Sequence, residues 1–264
     1  MGAEATRRRQ LSAELRAAIW AAPDDLAAYR VYADWLLEHG SSHGEYIQLA
    51  LIGEPNAEQA RRKKALLKQR GDWLGAARSY VRSWNNDRFG FAATVVCEAQ
   101  KLAAGYQALL DTGPRARLEV TSFAKRRRAT VREVSGLPLG RFHAISLSSG
   151  LDDADLEMLA PALAGIRRLD LGHNSFTAAG IRAVGAHVGG IETLSIVSHN
   201  YAPDWIDAIV DTPGFASLKH VVVHGTDLRV PVPVERLQNM PAIVRVNPPR
   251  PPGAPTLPMD PAEP

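Results

Sequence analysis

The residues of this sequence that come closest to a metal or acid–base site are two histidines and a glutamate near one another. His39, His43 and Glu45 lie within seven residues, and imidazole and carboxylate groups are ligands for zinc and other transition metals. They straddle a loop that contains Gly40 and Gly44, however, and their spacing matches no metal-binding motif. We therefore predict no metal site here, and for Glu45 a structural role in tying loops.

Sequence motifs of the common enzyme classes are absent. There is no H-E-x-x-H, G-x-S-x-G or C-x-x-C motif, no kinase signature and no glycine-rich phosphate loop. We therefore predict no catalytic residue, no cofactor and a function that is not enzymatic. The alternative is a small enzyme whose site lies in a cleft between two parts of the chain, although no motif supports it.

Three runs of basic residues, at 7–9, 61–64 and 125–128, could contact nucleic-acid phosphates. The formal net charge is only +3, with a sequence pI of about 9.1. No aromatic residue interleaves with the runs, as a surface for stacking single-stranded bases would need. Such runs are also common on solvated helix faces. Nucleic-acid binding through residues 7–9, 61–64 and 125–128 is therefore the alternative to the function inferred below.

Composition narrows the class of protein. The 264 residues are 45% hydrophobic, which is ordinary for one elongated globular domain or two small ones. No apolar run approaches the ~18 residues that a membrane-spanning helix needs, so no membrane partner is expected. Cys97 is the single cysteine, which excludes an intramolecular disulfide and fits a reducing, cytoplasmic environment.

A repeat organises the second half of the chain. The segments 166–174 and 191–200 both fit the pattern L-x-x-L-x-L-x-x-N, the second with its asparagine one place late. The asparagine of that pattern bonds free backbone groups in the turn, which we expect of Asn174. Equivalent apolar positions recur at intervals typical of leucine-rich repeats, and they are Val95, Leu118, Ile145, Leu169, Leu194, Val221 and Val244.

Helical spacing separates the repeated strands and fills the N-terminal third. Apolar stripes predict helices over 153–164, 177–188 and 203–210, between strands. A strand-then-helix unit buries its apolar side only by stacking on its neighbours. Before the repeats, helices are predicted from residue 11, ended by Pro23, then from a cap at Asp24 to Gly40, and over about 44–51, 57–69 and 73–84.

Part of the helical region is distinctive. The segments RAAIWAAPDD (16–25), YADWLLEHG (32–40) and GEYIQL (44–49) resemble the repeat-companion domain known mainly in myxobacteria and planctomycetes. The resemblance covers about residues 11–52. It implies a bacterial origin and leucine-rich repeats downstream, of the subtype with long helices that resembles ribonuclease inhibitor. It assigns no chemistry.

The predicted fold class is α/β, with a small helical domain followed by a leucine-rich-repeat solenoid that has parallel strands on its concave side and helices on its convex side. The predicted divisions are a flexible N-terminus (1–10), a helical domain (11–88), six to seven short repeats (89–246) and a proline-rich tail (247–264). Nearly half of positions 248–264 are proline, which predicts an extended or disordered segment.

Alternation along the strands defines the expected binding surface. Successive side chains of a strand point to opposite faces, so residues next to the apolar ones line the concave face. Repeat proteins use such faces to bind partners, and we expect another protein. The predicted contact residues are Arg117, Glu119, Ser146, Arg168, Asp170, Thr193, Ser195, His220, Val222, His224 and Arg245. His220 and His224, with His199, would make binding pH-sensitive if they clustered, although solvent-exposed polar lining is the simpler interpretation.

Overall fold

The N-terminal part of the chain forms four α-helices in the computed structural model, which describes residues 3–87, 89–123, 127–148, 150–198, 204–225 and 243–247. Residues 3, 197–198, 223–225 and 243–247 are described by their backbone alone. The helices are α1 (Ala3–Ala21), α2 (Leu26–Glu38), α3 (Ser42–Leu51) and α4 (Ala57–Leu66). A 3-10 helix over Leu67–Ser79 follows, and residues 3–79 together form the helical part.

Side-chain caps explain where α2 and α4 begin. The carboxylate of Asp25 accepts a hydrogen bond from the Ala27 amide at 2.9 Å. At α4 the side chains of Asn56 and Gln59 each accept from the other residue's amide at 2.9 Å, which forms a capping box. The expectation that Asp24 caps α2 is wrong, since the adjacent Asp25 holds that position.

Helix α1 begins earlier than the sequence indicates. The sequence predicts a flexible N-terminus over residues 1–10 because no apolar stripe starts there. In the structure α1 begins at Ala3, and polar pairs one turn apart accompany this extension. Arg8 pairs with Glu4, and Gln10 donates to Glu14 at 3.0 Å. Such pairs support an exposed helix that has few apolar contacts.

The helix predicted over 73–84 is the clearest error of sequence interpretation. The chain leaves the 3-10 helix at Ser79 and forms strand β1 (Val81–Asn86), which therefore lies inside the predicted helical domain of residues 11–88. Strand β1 pairs antiparallel with the next strand of the sheet, for example Trp84 opposite Val95. Tertiary pairing thus overrides a weak local helical pattern, as often happens where β-branched and aromatic residues occur.

In the described part of the chain, eight strands form one open sheet in which spatial order follows chain order. Every neighbouring pair after β1–β2 is parallel. Parallel neighbours need a crossover between them, and the chain supplies a connection with helix in it each time from β2 to β7. The strands after β1 are β2 (Ala92–Glu98), β3 (Arg117–Thr121), β4 (Ala144–Leu147), β5 (Arg168–Asp170), β6 (Thr193–Ser198), β7 (His220–Gly225) and β8 (Ile243–Asn247).

The strand register confirms the sequence alignment of the strands. The seven apolar positions that recur along the chain are direct partners across the parallel ladder, from Val95 opposite Leu118 to Val221 opposite Val244. The six of these side chains that are described are at most 1% exposed. One face of the sheet therefore forms one side of a continuous hydrophobic core.

Five helices of the described chain follow strands β2 to β6 and pack on one another in order. They are α5 (Ala99–Leu110), α6 (Arg127–Ser135), α7 (Asp153–Leu159), α8 (Ala178–Gly185) and α9 (Asp204–Asp211). In the last four helices, α6 to α9, inward residues recur at one constant interval: Val131, Leu156, Ile181 and Ile206, and likewise Val134, Leu159, Val184 and Ile209. All eight are at most 1% exposed, so the helices repeat as regularly as the strands do.

Two side chains inside this core, Asn174 and Cys97, have structural roles. Asn174 is buried, and its amide nitrogen donates to the Leu147 carbonyl at 2.7 Å while its oxygen accepts from the Leu151 amide at 3.0 Å. The turn after β4 thus receives both bonds from the following turn, as predicted. Cys97 is fully buried, and burial raises the pKa of its thiol to about 11.

An aromatic loop between β1 and β2 attaches the helical part to the sheet. Phe89 and Phe91 lie in the core of the helical part, where the Tyr29 ring centroid is 4.1 Å from that of Phe89. Phe91 packs edge-on against Trp20 at 5.5 Å and against His43 at 4.9 Å. The loop therefore connects the core of the helical part to the sheet, although the two cores consist of different elements.

Candidate functional site

The open face of the sheet carries the row of residues that the alternation predicted. Glu119 pairs with Ser146, Ser146 with Asp170, Asp170 with Ser195, and Ser195 with Val222 across successive parallel strands. Ser146 is buried at 8% exposure, and the other four are partly exposed. Polar groups of this kind on a broad sheet surface are suited to a macromolecular partner.

An ion-pair cluster occupies the centre of this face. Arg117 Nη2 lies 2.6 Å from Asp170 Oδ2, and Arg117 Nε lies 3.6 Å from Glu119 Oε1. The pair joins β3 to β5 across β4, whose Ser146 lies between Glu119 and Asp170 in the register. Asp170 also accepts from the Gly172 amide at 3.0 Å. The sequence indicated these residues but not their pairing, which fixes the arginine in place.

The second predicted row lies toward the beginning of the strands. Arg168 pairs in register with Thr193, and Thr193 with His220. Arg168 and His220 are exposed, and Thr193 is partly exposed. The strand positions of His224 and Arg245 continue the open-face rows in register, but their side chains lie outside the described residues, as do His199 and the predicted tail over 248–264.

Residues immediately before the strands add charges that sequence reasoning missed. Glu192 lies 3.3 Å from both Arg167 and Lys219, and the hydrogen bond from Lys219 lowers the pKa of its carboxyl. Burial lowers the pKa of His143, and the nearby Arg168 adds to that effect. Their position in the sequence was the available signal, since His143, Arg167, Glu192 and Lys219 each lie one place before a strand. Neighbouring parallel strands start at the same edge of the sheet, so residues at this position come close together.

The basic run at 125–128 has a structural use that the sequence did not reveal. Lys125 and Arg126 lie outside the described residues. Arg127 Nε is 2.8 Å and Arg128 Nη1 is 2.7 Å from the carboxylate of Asp155, which is fully buried. Both arginines also pair with Asp152. This cluster joins the start of α6 to the start of α7, so the two arginines are used within the fold.

The histidines and glutamate near residue 40 do not meet. The His43 ring is buried, stacks on Trp73 at 4.7 Å and donates from Nε2 to the Phe89 carbonyl at 3.0 Å. His39 stacks on the Trp35 ring at 4.3 Å, and Glu45 pairs with Arg62. Each side chain is engaged in a separate packing or ion-pair contact.

Two small cavities lie near the junction between the helical part and the sheet. One of about 40 Å³ is lined by residues that include Arg16, His43 and Trp73. The other, of about 110 Å³, is lined by Trp20, Arg141 and His143 among others. Both are much smaller than the roughly 300–1,000 Å³ of typical small-molecule sites.

Comparison of the chain with protein-family models, with curated proteins and with solved structures found no match. Within the described ranges, the helices are too short or too polar to cross a bilayer.

Proposed function

We propose that this protein is a non-catalytic interaction module, in which residues 89–246 form a leucine-rich-repeat solenoid and bind another protein along the open strand face. The observation that carries the proposal is the pair of aligned rows on that face. Apart from the buried Ser146, the charged and hydroxyl side chains there remain at least partly exposed, whereas their neighbours along each strand are buried in the core. The module would act in the cytoplasm, either alone or as an adaptor.

Three features support the solenoid interpretation. The strands follow chain order and pair in parallel. The inward helix positions recur at equal spacing from Val131 to Ile206. Asn174 bonds the backbone of the preceding turn, which is the role of the asparagine in the repeat pattern. On this proposal residues 11–52 are a repeat-companion type of domain that covers the first end of the repeats.

The ion-pair cluster would favour a partner whose charges complement the centre of the face. Arg117, Glu119 and Asp170 hold one another at distances of 2.6 and 3.6 Å, so a partner meets groups whose positions are already fixed. Preorganised groups lose little side-chain entropy when a complex forms. The exposed residues Arg168 and His220 extend the same surface toward the strand starts.

Site-specific photo-crosslinking tests the proposal while the partner is still unidentified. A photoreactive amino acid replaces Ser195 on the open face, and in a matched variant it replaces the exposed Ala179 on α8. In an extract of the organism that encodes the chain, we expect a discrete crosslinked protein from position 195 and none from position 179. Crosslinks from α8 instead, or from neither position, would contradict binding through the strand face.

Charge reversal then identifies the contact residues with the captured partner. Because Asp170 is tied to Arg117 and to a backbone amide, reversing it also perturbs the fold. Arg168 is exposed and forms no ion pair within the described chain, so Arg168→Glu is the cleaner variant. We expect at least a ten-fold loss of affinity from Arg168→Glu, and no change from Arg182→Glu on the opposite side.

A further inference from the structure

The positive charge of this protein is concentrated in one segment. From the start of α4 to the end of β1, residues 57–86, the sequence has eight Lys and Arg against two Asp and Glu. The remaining residues have 23 Lys and Arg against 26 Asp and Glu. The segment is thus strongly basic on a chain that is otherwise slightly acidic. Such asymmetry is characteristic of surfaces that attract polyanions.

Several cations of the segment are already engaged. Arg62 forms a bidentate ion pair with Glu45, at 2.5 and 2.6 Å. Lys63 lies over the Tyr46 ring at 5.3 Å from its centroid, and Arg70 lies over the Trp84 ring at 5.5 Å. Arg78 pairs with Asp72, one of the segment's two acidic residues, at 2.8 Å. These four cations are therefore already bound to other groups of the protein.

Of the four cations that remain, three are exposed on the outer face of α4 and the turn after it, and the fourth, Arg82, is exposed on β1. Arg61, Lys64 and Lys68 follow at steps of three and four residues, opposite the buried Leu66. None of the three has an ion pair or hydrogen bond to another described residue. Glu58 is the acidic residue nearest to them along the helix. The helical rise separates the first and last by about 10 Å, the length of about three phosphates along one strand.

In the other two basic runs, several arginines are paired with carboxylates within the fold. Arg127 and Arg128 are neutralised by Asp152 and Asp155, and Arg8 is paired with Glu4. Run length in the sequence therefore does not decide which cations are available. The presence or absence of a facing carboxylate decides it.

We propose that Arg61, Lys64 and Lys68 form a second binding surface, which contacts the phosphate backbone of nucleic acid. This surface is separate from the strand face and does not depend on the proposed protein partner. It replaces the broader alternative in which all three basic runs take part. Recognition of this kind is electrostatic and independent of base sequence, because it neutralises phosphates and releases their counterions.

Fluorescence anisotropy with labelled 20-nucleotide oligonucleotides, duplex and single-stranded, tests the proposal on the full chain. We expect the wild type to bind at low salt, and Arg61→Glu/Lys64→Glu/Lys68→Glu to bind at least ten-fold more weakly. The slope of log affinity against log salt for duplex should become shallower by about 2.7, since each neutralised phosphate contributes about 0.9.

A control variant with the same charge change is Arg7→Glu/Arg132→Glu/Arg182→Glu, since these arginines are exposed elsewhere on the chain. We expect it to keep most of the wild-type affinity, because it leaves the α4 surface intact. A triple alanine variant at 61, 64 and 68 removes the same charges but keeps a high helix propensity. Weaker binding by this variant would therefore come from lost charge and not from unfolding of α4. Absence of wild-type binding, or equal loss in the control variant, would overturn the proposal. Tighter binding to phosphatidylserine vesicles than to oligonucleotides would assign the surface to membranes instead.

Discussion

The two hydrophobic cores of the molecule are built from different kinds of side chain. The core under the sheet consists mainly of Val, Leu and Ile at regular intervals along the chain. The core of the helical part relies on aromatic rings, which are Tyr29, Tyr32, Tyr46, Phe89 and Phe91. Small aliphatic residues suit a unit that repeats, because each copy must fit the same space. Large rings suit a single junction, where irregular gaps between unlike elements must be filled.

The comparison also extends to polar groups. In the sheet core, the side chain of Asn174 hydrogen-bonds to the backbone of the preceding turn and so joins two successive turns. In the helical part, His43 and Asp87 hold one unique loop: His43 donates to the Phe89 carbonyl, and Asp87 accepts from the amides of Phe89 and Phe91 at 2.8 and 3.0 Å. The repeated core therefore depends on many equivalent contacts, and the junction depends on a few.

Phe91→Ala should have the largest effect, because one ring contacts both Trp20 and His43 in the junction. We expect the free energy of unfolding to fall by about 4 kcal/mol, within the range for Phe to Ala in a core. Urea unfolding followed by circular dichroism and by tryptophan fluorescence should separate into two transitions, since the helical part loses its main attachment.

The matched variant in the repeated core is Leu156→Ala, for which we expect a loss of about 3 kcal/mol and a single transition. Its neighbours on α6 and α8 remain packed around the cavity. If Phe91→Ala also unfolds in one step, with both probes coinciding, the loop is not the specific junction that the aromatic contacts indicate.

Asn174→Ala should have a smaller effect, of about 2 kcal/mol, because the substitution leaves the Leu151 amide and the Leu147 carbonyl without their buried partner. An unsatisfied buried group of this kind costs about 1–3 kcal/mol. Thermal or urea unfolding measures the change. Asn85→Ala, at an exposed position of β1, is the control and should change stability by less than about 0.5 kcal/mol. Equal effects of the two variants would contradict the bridging role.

These differences explain how far the sequence can be interpreted. The repeated part is predictable because aliphatic residues recur at similar intervals, so that Val95, Leu118 and Ile145 can be aligned without their pairing being known. The row of Glu119, Ser146 and Asp170 follows from that alignment and the two-residue period of a strand.

What the sequence cannot indicate are contacts between residues distant along the chain. The pairing of Arg128 with Asp155 joins positions 27 apart, and the reach of Arg117 across β4 joins positions 53 apart. Strand β1 escapes sequence interpretation for the same reason, since its pairing with β2 outweighs local spacing. Each depends on tertiary placement that no short window contains.

The last prediction concerns pH, and it again separates the junction from the repeats. Burial lowers the pKa of His43 from 6.5 to about 4, although its hydrogen bond to Phe89 opposes the shift. The unfolded chain therefore binds a proton between these pH values while the folded protein does not. The stability contributed by the neutral imidazole is complete above pH 6.5 and is lost as the pH falls toward 4, by about 2 kcal/mol between pH 7 and 5.

His43→Gln keeps an amide donor for the Phe89 carbonyl and removes the titrating group. Burial raises the pKa of Asp87 to about 6, so the folded protein takes up a proton there on acidification, which partly offsets the histidine in the wild type. That contribution is common to both proteins and cancels in their comparison. Urea unfolding at pH 7 and pH 5 should show that the wild type loses about 2 kcal/mol relative to the variant. An equal change in both, or an NMR titration of His43 with a midpoint near 6.5, would show that the ring is solvated and that the junction core is looser than its aromatic packing implies.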